Sequence, residues 1–294
     1  MSTTPPGLPE PPDLGASALP AGTFDGVAVI VTGAGTGLGK AIATEFARLG
    51  ASIAILSRKP EHLDAGREAI AALGGRVVTA ACDIREPDQI AAAFDQVEAE
   101  LGLPGVLVNN AAANFPAPAE DLSPNAWRTV VDITLNGTFF CSRELARRLL
   151  AAGRPGSIVN VGASYAWTGG PGFAHSAAAK AGVKNMVETL AVEWAPYGIQ
   201  VNGLVPGLFP HEDMTADIKG NLDRTSDKDV CQPAFRVGRL RELGWAATFL
   251  ASPYARFING HTLVVDGANW QRRSLTNPPV VTVRDQMGKE PFRL

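Results

Sequence analysis

The residues with the clearest chemical purpose are the glycines of Thr32-Gly33-Ala34-Gly35-Thr36-Gly37-Leu38-Gly39. They stand between an apolar run, Val27–Thr32, and a segment whose Leu38, Ile42, Phe46 and Leu49 share one helical face. Glycine lets a chain turn sharply and lets its backbone approach a ligand. The helix that follows offers unpaired N–H groups and the positive end of its dipole. Gly33, Gly35, Thr36, Gly37, Leu38 and Gly39 are therefore candidates to hold the pyrophosphate of a dinucleotide, the alternative being a plain tight turn. A second cluster is Ser57-Arg58-Lys59 at the end of the next strand-like run, with no carboxylate until Glu61. An NAD site usually places an acidic residue there, on the ribose 2′-hydroxyl. Arg58 and Lys59 suit a 2′-phosphate instead, which a guanidinium grips through two parallel hydrogen bonds. NADP(H) is the expected cofactor; a solvated basic turn is the plainer alternative for the same residues.

The elements that must position these groups follow from the alternation of short β-rich runs with longer Ala-rich helical patterns. Strands are predicted at Val27–Thr32, Ser52–Leu56, Arg76–Ala81, Gly105–Val108, Ser157–Val161, Gln200–Val205 and Thr262–Val265. Helices are predicted at 38–49, 61–73, 88–101, 123–152, 174–195 and 239–250. Runs such as Val-Ala-Val-Ile-Val are apolar on both faces, as buried parallel strands are. The expected fold class is α/β: a single-domain, Rossmann-type, doubly wound parallel sheet of about seven strands with helices on both faces. Residues 24–268 form that domain. Residues 1–23, with six prolines, read as a flexible or surface-hugging arm, and 269–294 as a C-terminal extension in contact with the surface or another subunit. The polar stretch 208–237 follows a strand end, where ligands bind in such sheets, and reads as a substrate lid.

Composition narrows the classes further. A chain of 294 residues suffices for one large domain with a buried core. A formal charge of −3 gives no global field to recruit nucleic acid or anionic lipid, so neither is an expected partner. No apolar run reaches the length of a membrane span. The absence of Lys or Arg before Lys40 argues against a secretory or transit leader, and Phe-Arg-Leu at the C-terminus is a poor peroxisomal signal. Cys82, Cys141 and Cys231 lack metal-ligand spacing and read as small buried hydrophobes in a reducing compartment. No metal is expected, and the expected location is cytoplasmic.

The spacing Gly33-x-x-x-Gly37-x-Gly39, Asp83 after the third strand, Asn109-Asn110-Ala111 after the fourth and Pro206-Gly207 after the sixth together resemble the short-chain dehydrogenase/reductase family over residues 24–268. The resemblance implies that Asp83 and Ile84 border the adenine and that Asn109 supports the ribose side. It further implies that Pro206, Gly207, Leu208 and Phe209 contact the nicotinamide amide, and that the chain forms a homo-oligomer, tetramer or dimer, on its two long helices. Members typically carry Tyr-x-x-x-Lys. Here Lys180 is preceded four residues earlier by Ser176, and a tyrosine, Tyr165, stands fifteen residues before the lysine.

That arrangement resembles the 2,4-dienoyl-CoA reductase branch. The resemblance is carried by Asn109–Phe115, Leu122–Trp127, Leu135–Thr138, Tyr165–Gly169 and Ser176–Val183. It implies that Asn114 and Tyr165 hydrogen-bond a thioester carbonyl oxygen, and that Ser176 and Lys180 hold the cofactor and a water network. Arg58, Arg85, Phe115 and Ser123 would lie along an acyl-CoA substrate. The chemistry is coherent. Hydride delivered to the far end of a conjugated thioester pushes negative charge onto the carbonyl oxygen, which needs two fixed donors. A phenol in that role sits further along the acyl chain than one serving a simple ketone. The expected activity is NADPH-dependent 2,4-dienoyl-CoA reduction in the β-oxidation of unsaturated acyl chains. Trans-2-enoyl-CoA reduction, carbonyl reduction, and a cofactor-binding scaffold without turnover are the alternatives. Asn136 has two readings, a proton relay to the lysine or a bond across a helix kink, and His175 is expected at the surface or in a cap.

Overall fold

The structure, a computed structural model, describes residues 6–214, 232–272 and 281–288. Residues 215–231 of the expected lid, Cys231 among them, and parts of both termini lie outside the described residues.

Seven strands form one parallel sheet in the order β3-β2-β1-β4-β5-β6-β7. They are β1 (Ala28–Thr32), β2 (Ser52–Ser57), β3 (Val77–Ala81), β4 (Val106–Asn109), β5 (Gly156–Val161), β6 (Ile199–Pro206) and β7 (Thr262–Val265). Every residue of β1, β4 and β5 is buried, which is why those runs are apolar without alternation. Within β1, Val29 and Val31 face one layer of helices and Ile30 the other. The first layer contains α1 (Gly37–Arg48), α2 (Pro60–Ala71) and α8 (Leu240–Ala251). The second contains α3 (Pro87–Leu101), α5 (Gly137–Ala152) and α7 (Ala174–Trp194). Phe46 on one side and Phe94 on the other are fully buried against the sheet. Truncating either to Ala costs about 3–5 kcal/mol by lost transfer energy and the cavity left behind. Strand order reverses between β1 and β4, and the crevice at their C-terminal ends is where such sheets bind ligands.

Residues 123–152, predicted as one helix, are two. Helix α4 (Pro124–Val131) is capped by the Ser123 hydroxyl, which accepts from Ala126 N–H at 3.1 Å. A π turn over Asp132–Asn136 then leads into α5. The Thr134 hydroxyl in that turn meets both the N–H and the C=O of Ala113, at 3.2 and 3.4 Å, so the widened turn is tied to the loop after β4. Hydrophobic spacing does not distinguish one wide turn from a regular one.

Both ends of the described chain lie on the domain. Arg236, Arg241 and Trp245, on and before α8, donate to the carbonyls of Pro9, Pro12 and Ala16, at 3.0, 2.6 and 3.0 Å. This proline-rich N-terminal strap has carbonyls to spare and few N–H groups to satisfy, so it suits a face that presents donors. After β7, Trp270 stacks on Trp167 with centroids 5.2 Å apart. The short helix α9 (Val283–Gln286) carries Arg284, which bonds Glu120 at 2.7 Å and Asp121 at 2.5 Å.

Candidate active site

The glycine turn closes on itself through Asn110. Its amide nitrogen donates to the carbonyls of Thr32 and Gly33 at 3.0 and 3.2 Å, and the Thr32 hydroxyl accepts from Asn110 N–H at 3.0 Å. A Cβ on Gly39 would stand 2.4 Å from the Asn110 amide nitrogen and 2.5 Å from Gly33 O, so only glycine fits. Gly33 and Gly37 have φ of +67° and +50°, the left-handed region that favours glycine. Gly35 has a different role from that expected. Its α-carbon faces α2, where a Cβ would stand 2.0 Å from His62 O, so it permits close packing of the turn on that helix.

In front of the turn is an open cleft. It is lined by Gly33, Thr36–Leu38, Ser57–Lys59, Cys82–Ile84 and Asn110–Ala112. The N-terminus of α1 points into it without a cap from the Thr36 side chain. Gly37 N–H donates to the Asp213 carboxylate at 2.8 Å, so the position already holds an anion. These features fit a dinucleotide: a glycine cradle, a helix terminus that accepts an anion, and cations beside the far end. Arg58 lines that end half-exposed, 3.7 Å from Asp83, and Lys59 is 4.0 Å from Glu61. Asp83 is gripped by Arg85 at 2.6 Å, and this bond, assisted by Arg58, holds its carboxyl below the usual range. Burial pushes the neighbouring Cys82 thiol up to about 12, so it stays protonated.

The second cluster forms where the loop after β4, the short helix α6 (Tyr165–Thr168) and the start of α7 meet. The Tyr165 hydroxyl lies 2.9 Å from Ser176 Oγ, and the Asn114 amide donates to it at 3.4 Å. Tyr165 is set by its surroundings. Its ring lies parallel to Phe173 at 6.2 Å, and Gly170 passes so close that a Cβ there would touch the Tyr165 side chain at 3.1 Å. Burial raises its phenol pKa, with the Ser176 bond opposing, so at neutral pH it is a donor and not a phenolate. Behind it Lys180 is buried, its ammonium donating to Val161 O at the end of β5. Burial lowers its pKa to about 8.

Several residues are placed differently from expectation. Asn109 is 3% exposed and does not line the cleft; its amide donates to Ser142 and Asn160, both at 2.9 Å, locking β4 to α5 and β5. Phe209 turns into the core against Gly238, and with Leu208 it lines a separate cavity beside Leu8 and Arg236. Pro206 ends β6, and Gly207 N–H bonds Val265 O while its α-carbon abuts Asp266. Ile84 lines the cleft and also packs on Gly137, and Ser123 is spent as a helix cap. Asn136 spans the π turn and donates to Asp132 at 2.8 Å, which favours the structural reading. His175 is fully buried, not at the surface. Its Nδ1 accepts from Ser176 N–H at 2.8 Å, and its ring meets Phe115 edge-on at 4.6 Å. Asn110, which clamps the turn, is missed by sequence reasoning because it acts through backbone bonding that spacing alone does not show.

A glycine turn at the switch point of a doubly wound sheet, with a cleft in front of it, is the arrangement in which such folds bind dinucleotides. The family model described as Enoyl-(acyl carrier protein) reductase matches residues 33–268. A probable 2,4-dienoyl-CoA reductase of Bacillus subtilis is 38% identical over 83% of this chain and 96% of its own. The rat peroxisomal 2,4-dienoyl-CoA reductase is 40% identical, with 82% of each chain covered. A gluconate 5-dehydrogenase of Gluconobacter oxydans is 34% identical, covering 83% of this chain and 95% of its own. Among solved structures, a short chain dehydrogenase from Bacillus anthracis superposes with a TM-score of 0.75 at 40% identity, over 83% of this chain and 96% of its own. A putative 2-deoxy-D-gluconate 3-dehydrogenase from Agrobacterium tumefaciens with bound NADP gives 0.76 at 33%, over 85% and 99%. The chain belongs to the short-chain dehydrogenase/reductase family and is similar to its 2,4-dienoyl-CoA reductases.

Proposed function

We propose that the protein is an NADPH-dependent reductase of a conjugated acyl-CoA double-bond system, a 2,4-dienoyl-CoA reductase. One observation carries this: the phenol of Tyr165 stands at 2.9 Å from the Ser176 hydroxyl, with the Asn114 amide also on it. Serine occupies the slot four residues before Lys180, and the phenol reaches the site from the strand end instead. When bound, the nicotinamide supplies the hydride. The Tyr165 O–H and an Asn114 N–H then meet the charge that develops on the thioester carbonyl oxygen. Two such donors, fixed before reaction, contribute about 3 kcal/mol each. Neither passes its proton to that oxygen. The proton that completes the reduction goes to carbon, from water. Ser176 orients the phenol, and Lys180 keeps a positive charge at the end of β5, on the cofactor's side.

Arg58 and Lys59, with no carboxylate before Glu61, support NADPH over NADH. Phe115 supports an acyl-lining role, because it remains over a third exposed beside the Tyr165 cluster. Arg85 and Ser123, both engaged internally, support substrate contact less. We also propose a homo-oligomer, supported by the exposed Phe257 at 105% and Val192 at 77%, and a cytosolic location. Among the described residues no helix is long and apolar enough to cross a membrane. The test follows NADPH oxidation with a 2,4-dienoyl-CoA, a 2-enoyl-CoA and a simple ketone side by side. Turnover of the dienoyl thioester well above the other two is expected; a preference for the ketone overturns the proposal.

A further inference from the structure

The segment that follows β6 reaches back to the glycine turn from the far side of the sequence. Asp213 Oδ2 accepts from Gly37 N–H at 2.8 Å, and Lys40 Nζ, one turn along α1, lies 3.4 Å from the same oxygen. His211 of the same segment lies on the turn as well. A Cβ on Gly37 would stand 2.7 Å from its ring, and His211 lines the cleft with Arg58 and Asp83. The Gly37 N–H is the first of α1, the donor that a pyrophosphate at this terminus would use. One N–H and one neighbouring ammonium cannot serve two anions at the same point, and the anions repel each other.

We propose that Asp213 is an internal stand-in for the pyrophosphate, an autoinhibitory contact that a dinucleotide must displace before it seats. The carboxylate is suited to this role. Gly37 N–H above all, then Lys40 and His211, hold it in its charged form, so it competes throughout the neutral range. Cofactor affinity is then the difference between two anions for one site, reduced by the fraction of molecules in which Asp213 is seated. Displacement also moves the segment behind it. Leu208 C=O accepts from Gly238 N–H, and Leu208 and Phe209 form a cavity wall together with Leu8 of the N-terminal strap. Seating the dinucleotide is thereby coupled to residues 208–214 and to Gly238 before α8. By linkage, a substrate that holds residues 208–214 away from α1 tightens the cofactor in return.

The inference rests on dinucleotide binding at the glycine turn, not on the choice between NADPH and NADH. Its test is calorimetric titration of the full chain with each dinucleotide in wild type, Asp213→Asn and Asp213→Ala. Losing a charge-assisted competitor tightens both Kd values by about 10-fold in Asp213→Ala. Asp213→Asn tightens them less, because the amide still offers a neutral acceptor. Inorganic pyrophosphate is the second probe, expected to raise the Tm of Asp213→Ala at a concentration that leaves wild type unmoved. Unaided melting curves establish that each variant is folded, and the isosteric Asp213→Asn carries the comparison if alanine is not tolerated. Unchanged or weaker binding in folded variants, with wild type binding normally, overturns the internal competitor alone. Absence of binding in every variant overturns the cofactor assignment and the competitor with it.

Discussion

Replacing Tyr165 with Phe removes one oxygen atom and leaves the ring packed on Phe173, so the substitution tests the phenol and little else. Two partners lose it. Ser176 Oγ, 2.9 Å away, belongs to a residue 1% exposed and is left without that bond, whereas Asn114 is exposed and turns to water. Stranding the buried hydroxyl costs about 1–2 kcal/mol of stability, a few degrees in Tm. The effect on chemistry is larger. Loss of one preorganised donor to a developing oxyanion lowers kcat by about 100- to 1000-fold. The Asn114 donor remains, so activity does not vanish. The assay is NADPH oxidation with a 2,4-dienoyl-CoA at saturating cofactor, and KM for NADPH stays within about twofold because Tyr165 lies outside the nucleotide cleft. Ser176→Ala, which removes only the group that orients the phenol, falls between the two at about 10-fold. The double variant is no worse than Tyr165→Phe, since both act through one hydrogen-bonded unit. A Tyr165→Phe enzyme that keeps wild-type kcat refutes the reasoning. So does one whose only defect is a raised KM for NADPH.

Four other outcomes are expected. Arg58→Ala raises KM for NADPH by about 5- to 10-fold and leaves KM for NADH unchanged; the guanidinium is half-exposed and already 3.7 Å from Asp83, which holds the effect below that of a buried pair. Lys180 titrates at about 8 because burial disfavours its charge, so NADPH affinity weakens as pH rises through 8 and the profile flattens in Lys180→Met. The stability effect runs the other way: the native state sheds this proton before the unfolded chain does, so the burial penalty, complete below pH 8, is relieved between that pH and the ordinary lysine pKa. Removing residues 1–19 takes away the strap bonded to Arg241 and Trp245 and lowers stability by roughly 2–4 kcal/mol in a melting experiment. Glu10→Ala leaves the melt nearly unchanged, since its pair with Arg239 lies on the surface.

The alternation of strand and helix, and with it the sheet, was legible because it is local. A strand buried on both faces reads as an unbroken apolar run, and a helix on such a sheet reads as a 3.6-residue stripe. Val29-Ile30-Val31 and Ile42-Phe46 carry both signals within a few residues of each other. The glycine turn was legible for the same reason, since left-handed backbone and close approach restrict residue type position by position. What only the tertiary structure decided is which distant groups meet. Asn109 and Asn110 are adjacent, yet one faces Ser142 and Asn160 inside the sheet while the other closes the glycine turn, because successive residues at a strand end point to opposite sides. Thr134 ties the π turn to the loop after β4, a contact across 21 residues that spacing does not show. Tyr165 finds Asn114, 51 residues away, and Asp213 finds Gly37, 176 residues away, because the strands are parallel and the segments after β1, β4, β5 and β6 all leave the same edge of the sheet. Sequence spacing carries the period of each element; the meeting of their ends depends on the order in which the strands assemble.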